Sequence, residues 1–241
     1  MSARNALAAE FIGTLLLLAI VLGSGIMGER LAGGNVAVAL MANAAATAGG
    51  LYVLIELFGP VSGAHFNPVV TLAMSWRRET LPAPAIAYVA VQLAGAIAGV
   101  LLAHAMFGEA SWQPGTRVRT GAGQWLGEGV ATFGLLLTIL LGARFRPASL
   151  PALVAAWIFA AYWFTASTSF ANPAVTLARA LTRTFTGIRP IDAPGFIAAQ
   201  LAGGALALLL ARWLLASHQP GVAPSREPVQ SSDRRYPTPP M

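Results

Sequence analysis

The chain has 241 residues, of which 56% are hydrophobic and only 10% charged, with a mean hydropathy of +0.65. A soluble domain needs roughly a quarter charged residues, so this composition excludes one, and the lack of cysteine excludes disulfides, thiolate metal sites and a cysteine nucleophile. The net charge of +6 rests wholly on arginine, scattered singly and in pairs through the polar breaks, which suits topology signals and anionic-lipid contacts and gives no nucleic-acid surface.

In chain order, the first apolar run covers residues 7–27; it carries Glu10 and no clear cleavage site, so it reads as a span and not a signal peptide. A second covers 36–57. "FGPVSGAHFNPVVTLAMSW" then breaks the pattern with Gly59, Pro60, Gly63 and Pro68. The apolar piece that follows, 67–76, is too short to cross ~30 Å of hydrocarbon at ~1.5 Å per residue, and "RRET" ends it. A third span covers 84–106, a polar loop 107–122, a fourth span 124–143 and a fifth 150–168. A second short piece covers 172–181 and a sixth span 194–215. Residues 218–241 are rich in proline and serine and read as a disordered tail. No ten-residue alternation of a β-barrel is present. The expected fold is an all-α polytopic membrane protein, six transmembrane helices plus two re-entrant half-helices, in one membrane domain over 1–217.

The chain also repeats itself. "AEFIGT" (9–14) answers "GEGVAT" (127–132), "FNPVVTLA" (66–73) answers "ANPAVTLA" (171–178), and "QLAGAIAG" (92–99) answers "QLAGGALA" (200–207). The three features keep their order, so the halves are about 5–106 and 123–217. Each half holds three spans; three is odd, so the second half enters the membrane from the opposite side, as inverted repeats do.

Asparagine is a preferred N-cap and proline a preferred first helical residue, so each short piece is a half-helix that starts within the bilayer. Its unpaired backbone donors cannot face lipid and must be buried in protein or line a wet cavity. Inverted halves bring the two starts together near the midplane, with the amides of Asn67 and Asn172 in a shared path and a partial charge of about +0.5 at each helix start opposing cations.

Two Asn-Pro motifs in inverted halves, with "SGAHFNP" in the first, resemble the major intrinsic protein family, the aquaporins and aquaglyceroporins, over about residues 5–217. The resemblance implies an aquaporin-like channel for small neutral solutes and water, set in membrane lipid, without cofactor or metal, and assembled as a homotetramer. It assigns Asn67, Pro68, Val69, Asn172, Pro173 and Ala174 to the pore motifs. It gives Glu10 and Glu128 the task of holding the loops before the half-helices, with Gln92 and Gln200 bracing beside them.

The family usually has arginine three residues after the second motif's asparagine; here that position is Val175. By spacing, the other filter positions fall on Ser169, Ala160 and Thr47, with Tyr162 and Asn43 as rivals for the last two. These residues are small or medium, which implies a constriction wider and less polar than that of a strict water channel. Such a filter suits glycerol, urea or metalloid hydroxides such as arsenous acid, and "ANPAVTLARALT" also resembles a bacterial subgroup associated with arsenic resistance. Arg179, one turn beyond Val175, either lines the outer vestibule or snorkels and braces a loop. His65 either lines the inner vestibule or braces its loop. The placement of Arg77, Arg78, Arg144, Arg146 and the tail arginines favours both termini in the cytoplasm, in a bacterial inner membrane.

Two other classes compete. A secondary transporter also uses inverted repeats and broken helices, but it couples ions through ionisable residues at the midplane. Here Glu10, Glu128 and Glu56 lie in the span bodies. A hydrolase needs an oriented nucleophile–base pair, and Ser62 with His65 has no evident orienting acid, so no enzymatic activity is expected.

Overall fold

The structure, a computed structural model, describes residues 2–216, so the tail expected to be disordered lies outside the described residues. Eight α-helices are present among them: α1 (Ala3–Leu31), α2 (Val36–Ser62), α3 (Pro68–Trp76), α4 (Pro82–Phe107), α5 (Ala122–Phe145), α6 (Leu150–Phe164), α7 (Pro173–Arg179) and α8 (Ala193–Ala216). Six are long and apolar enough to cross a membrane, α6 with the turn Pro147–Ser149 before it. The other two, α3 and α7, are the half-helices. The fold is therefore all-α, six spans plus two short helices.

Packing follows the repeat. In the first half α1 packs on α2 and α4, and in the second α5 packs on α6 and α8. The half-helices tie the halves together: α3 lies against α4 of its own half and α8 of the other, while α7 lies against α8 and α4, and α3 touches α7. Small residues make this possible. A Cβ on Gly95 would overlap the Phe11 carbonyl oxygen, and one on Gly203 would overlap that of Gly129, so the repeated "QLAG" stretches bring α4 onto α1 and α8 onto α5 at backbone distance. The outward faces carry exposed Ile86, Leu57, Leu206 and Leu209, which suit hydrocarbon.

Helix ends differ from the sequence reading by a few residues, α1 extending four beyond it at each end, and two of the differences have a local cause. α2 continues past Gly59 and Pro60 to Ser62, with Pro60 inside its last turn, and it stops at Gly63, whose φ of 88° ends the helix. α6 stops at Phe164, four residues before the expected end of the fifth span. Thr165 there donates its hydroxyl to the Ala161 carbonyl (2.7 Å), and Thr168 and Ser169 take φ of 61° and 51°.

Gly95→Val is expected to force α1 from α4, costing about 1–3 kcal/mol of overpacking strain. A lowered thermal midpoint of the detergent-solubilised protein checks this; an unchanged midpoint contradicts the close approach.

Candidate functional site

Asn67 and Asn172 cap α3 and α7. The Oδ1 of Asn67 accepts from Val69 N–H (3.0 Å), and that of Asn172 from Ala174 and Val175 N–H (2.9 and 3.3 Å). Each Nδ2 then reaches across to the other half. Asn67 donates to the Ala171 carbonyl and Asn172 to the Phe66 carbonyl, both at 2.8 Å. The two helix starts are thus locked tip to tip by a reciprocal pair of hydrogen bonds.

The loops before these caps are bent. Ala64, Phe66, Ser169 and Ala171 have φ of 49°, 48°, 51° and 48°, a left-handed conformation uncommon in residues other than glycine. Two fully buried carboxylates hold them. Glu10 accepts from His65 N–H (2.9 Å), Phe66 N–H (2.8 Å), Ser62 Oγ (2.7 Å) and Gln92 Nε2 (2.8 Å). Glu128 accepts from Phe170 N–H (2.8 Å), Ala171 N–H (2.9 Å) and Gln200 Nε2 (2.6 Å). Gln92 and Gln200 also donate to Thr71 and Thr176 at 2.9 and 2.8 Å, which ties each glutamate to its own half-helix. Such donor-rich surroundings offset the cost of placing a carboxylate in a span.

A cavity of about 290 Å³ runs past these caps, mostly apolar with a few polar groups in its lining. His65 lies toward one end, with Nδ1 3.1 Å from Thr71 Oγ1; Asn67 and Asn172 lie in the middle; Thr47, Tyr162, Ser169, Val175 and Arg179 lie toward the other. Pro68, Val69, Pro173 and Ala174 are buried and do not line it. Ser62 does have an acid beside it, contrary to the sequence reading, but Glu10 takes the Ser62 hydroxyl directly and the His65 ring is bonded to Thr71, so no nucleophile–base pair forms.

One position needs correction, and two alternatives left open by the sequence are decided by packing. Ala160 is exposed on the outer surface of α6, whereas Tyr162, two residues on and about 200° around the helix, is buried and lines the cavity. Its hydroxyl lies 3.3 Å from Thr47 Oγ1. Asn43, the rival to Thr47, is spent on Val21 O and Ser24 Oγ (2.8 and 2.9 Å) and lines a second cavity further out. Arg179 does not snorkel: it is 2% exposed, stacks over the Phe170 ring at 3.4 Å, and donates Nε to the Thr186 carbonyl. It is also the one residue common to the two cavities, so it stands at their junction.

Sequence reasoning passed over Arg119, in the loop between α4 and α5. It is buried and donates to the carbonyls of Gly187 and Ser167 at 3.0 and 3.1 Å, clamping the α4–α5 loop onto the segments after and before α7. The run "GTRVRT" carries no periodic or capping signal that distinguishes it from a solvated loop.

Glu128→Leu is expected to leave the Phe170 and Ala171 N–H groups unpaired in a dry site, at about 1–3 kcal/mol each. Thermal stability and solute flux both fall, and Glu128→Gln, which keeps an acceptor, recovers part of each. A Leu variant with native stability and flux in proteoliposomes contradicts the bracing role.

A family model described as "Major intrinsic protein" matches residues 1–162. The chain is 54% identical over 212 residues to the aquaglyceroporin AqpS of Rhizobium meliloti (strain 1021), covering 88% of this chain and 91% of that one. It is 31% identical over 240 residues to aquaporin TIP1-1 of Zea mays, covering 93% and 92% of the two chains. The X-ray structure of the aquaglyceroporin from Plasmodium falciparum shares the fold, with a TM-score of 0.68 at 18% identity over 88% of this chain and 95% of that one. With half-helices locked tip to tip beside a cavity that follows their caps, the chain belongs to the major intrinsic protein family, multi-pass membrane channels for water and small solutes and not enzymes.

Proposed function

We propose that the chain conducts small neutral solutes with an apolar side and several hydroxyls, such as glycerol and metalloid hydroxides like arsenous acid, together with water. The observation that carries this is the mixed lining toward the junction of the cavities, where Val175 and the Tyr162 ring are apolar and the Tyr162 hydroxyl lies beside that of Thr47. A hydroxylated solute replaces water at these hydroxyls and lays its apolar part on the valine and the ring. The selectivity filter is then Thr47, Tyr162, Ser169 and Val175. The proposed filter has valine where the family resemblance implies arginine, and the cation barrier falls to the half-helix starts and to Arg179 just beyond. The similarity to the aquaglyceroporin AqpS agrees with the solute class.

The contact between Tyr162 and Thr47 favours a second reading, a water-selective pore, because it draws α6 and α2 together across the lumen. Homotetrameric assembly, each copy with its own pore, and cytoplasmic termini belong to the first proposal and rest on the family resemblance and the arginine distribution.

Stopped-flow measurements in proteoliposomes separate the readings. The native chain is expected to pass glycerol and arsenous acid as well as water. Val175→Arg is expected to cut the two larger solutes by about tenfold, a barrier increment of about 1.4 kcal/mol, and water by less. Water flux alone in the native protein favours the narrow pore, and equal losses for every solute in the variant sink the filter assignment.

A further inference from the structure

The second cavity, of about 250 Å³, opens where α2, the α4–α5 loop and the segment after α7 meet. Arg117, Arg119 and Arg179 all line it, and no aspartate or glutamate does. The surrounding carboxylates are already engaged. Glu128 is taken by Phe170, Ala171 and Gln200, and Asp192 by Arg189 and by the Arg119 N–H at 2.8 Å.

The three guanidinium groups keep unused donors. Arg179 spends only Nε, and its Nη1 is buried with no hydrogen-bond partner. Arg119 spends Nε and Nη1, leaving Nη2 without a protein partner among the described residues. The Arg117 side chain stacks on the Phe185 ring at 5.1 Å, and among the described residues it has neither a hydrogen bond nor an ion pair. Arg119 and Arg179 share the Phe170 ring at 5.1 and 3.4 Å, so the like charges are held close by their stacking. Burial, with the charge of Arg117, lowers Arg119 to about 10, which still leaves it protonated at neutral pH.

Three clustered cations, one almost wholly buried with an idle donor, form an unfavourable arrangement until an anion enters. We propose that this outer cavity is a binding site for a small oxyanion, a carboxylate or phosphate group, held by the free donors of Arg117, Arg119 and Arg179. The planar forks suit such oxygens, and the cavity is smaller than the range typical of drug-sized ligands, so the ligand is a compact ion. Arg179 also faces the inner cavity. Under the channel reading above, on which this part rests, an anion seated here covers the outer mouth of the path and slows neutral solutes.

Titration calorimetry of the full chain in detergent, with inorganic phosphate and with acetate at constant ionic strength, tests the site directly. Saturable binding at one ion per chain is expected for at least one of the two. Arg117→Gln, at the cavity's outer loop, is expected to weaken it by about tenfold, the loss of one charge-assisted contact, and Arg117→Lys to weaken it less. No saturable heat with either ion overturns the site. Equal binding in native and Gln variants overturns it too, as does equal heat from chloride, which marks diffuse attraction only. Phosphate or acetate outside proteoliposomes, added to a glycerol swelling assay, tests the block. Glycerol flux with no anion binding keeps the channel and loses this site; anion binding with no glycerol flux keeps the site and loses the channel reading.

Discussion

The whole arrangement depends on two amide side chains doing the same two things. Asn67 and Asn172 each cap their own half-helix through Oδ1 and hold the opposite half through Nδ2. Each bond is worth only about 1 kcal/mol net when made, but its loss leaves buried donors or acceptors unsatisfied on both halves. Aspartate would cap a helix as well and could not donate; serine could donate but has one oxygen for both tasks. An amide is the short side chain that offers an acceptor and donors at one end. Each Nδ2 makes one such bond, so in the proposed channel its second hydrogen is left for a solute, and the clamp and the conduction path use the same groups.

That clamp works only if the carbonyls it grips are presented to it. Phe66 and Ala171 point theirs across because their loops are left-handed, and left-handed alanine and phenylalanine are strained. The buried glutamates hold the strain in place. Each binds two successive backbone N–H groups of its loop and one glutamine that reaches the half-helix behind. A carboxylate in a span is costly alone, yet here it accepts three or four hydrogen bonds, so burial and backbone strain are mutually supporting. The glycine contacts between α1 and α4 and between α5 and α8 bring Gln92 to Glu10 and Gln200 to Glu128. Helix packing, loop shape and pore geometry are therefore one constraint.

The repeat made most of this legible. Spans, half-helices and the Glu–Gln partners can be read from residue order because each signal occurs twice, and two weak signals in matching order become one specific pattern. What could not be read is rotation. Ala160 and Tyr162 differ by two residues, and choosing between them needs the end of α6, which the sequence reading placed four residues late. A β-branched threonine bonding back to Ala161 ends that helix, a local event without a proline or glycine to mark it. Arg179 was ambiguous for another reason. Its spacing put it one turn beyond Val175, and only tertiary packing against Phe170 decides between a buried guanidinium and one that reaches for headgroups. Arg119 was not legible at all, since a loop arginine gains its meaning from carbonyls far away in sequence.

The displacement of the cation by one helical turn has a physical logic of its own in the proposed channel. Size selection acts through contact and ends within about an ångström of the wall, as dispersion and overlap do. Charge exclusion acts through the field, which decays far more slowly in a dry surround. An arginine at the narrowest point performs both tasks and couples them: the charge cannot be kept without the bulk. With Val175 at the wall and Arg179 about 6 Å further along the helix axis, the field still reaches the constriction while the bulk does not. The side chain also slants back toward the helix N-terminus, which places its guanidinium over Phe170 and nearer the constriction than its Cα. Pore width and cation rejection thereby become separable, and a family that sets both with one residue gains a way to admit a bulkier neutral solute without opening a path for cations.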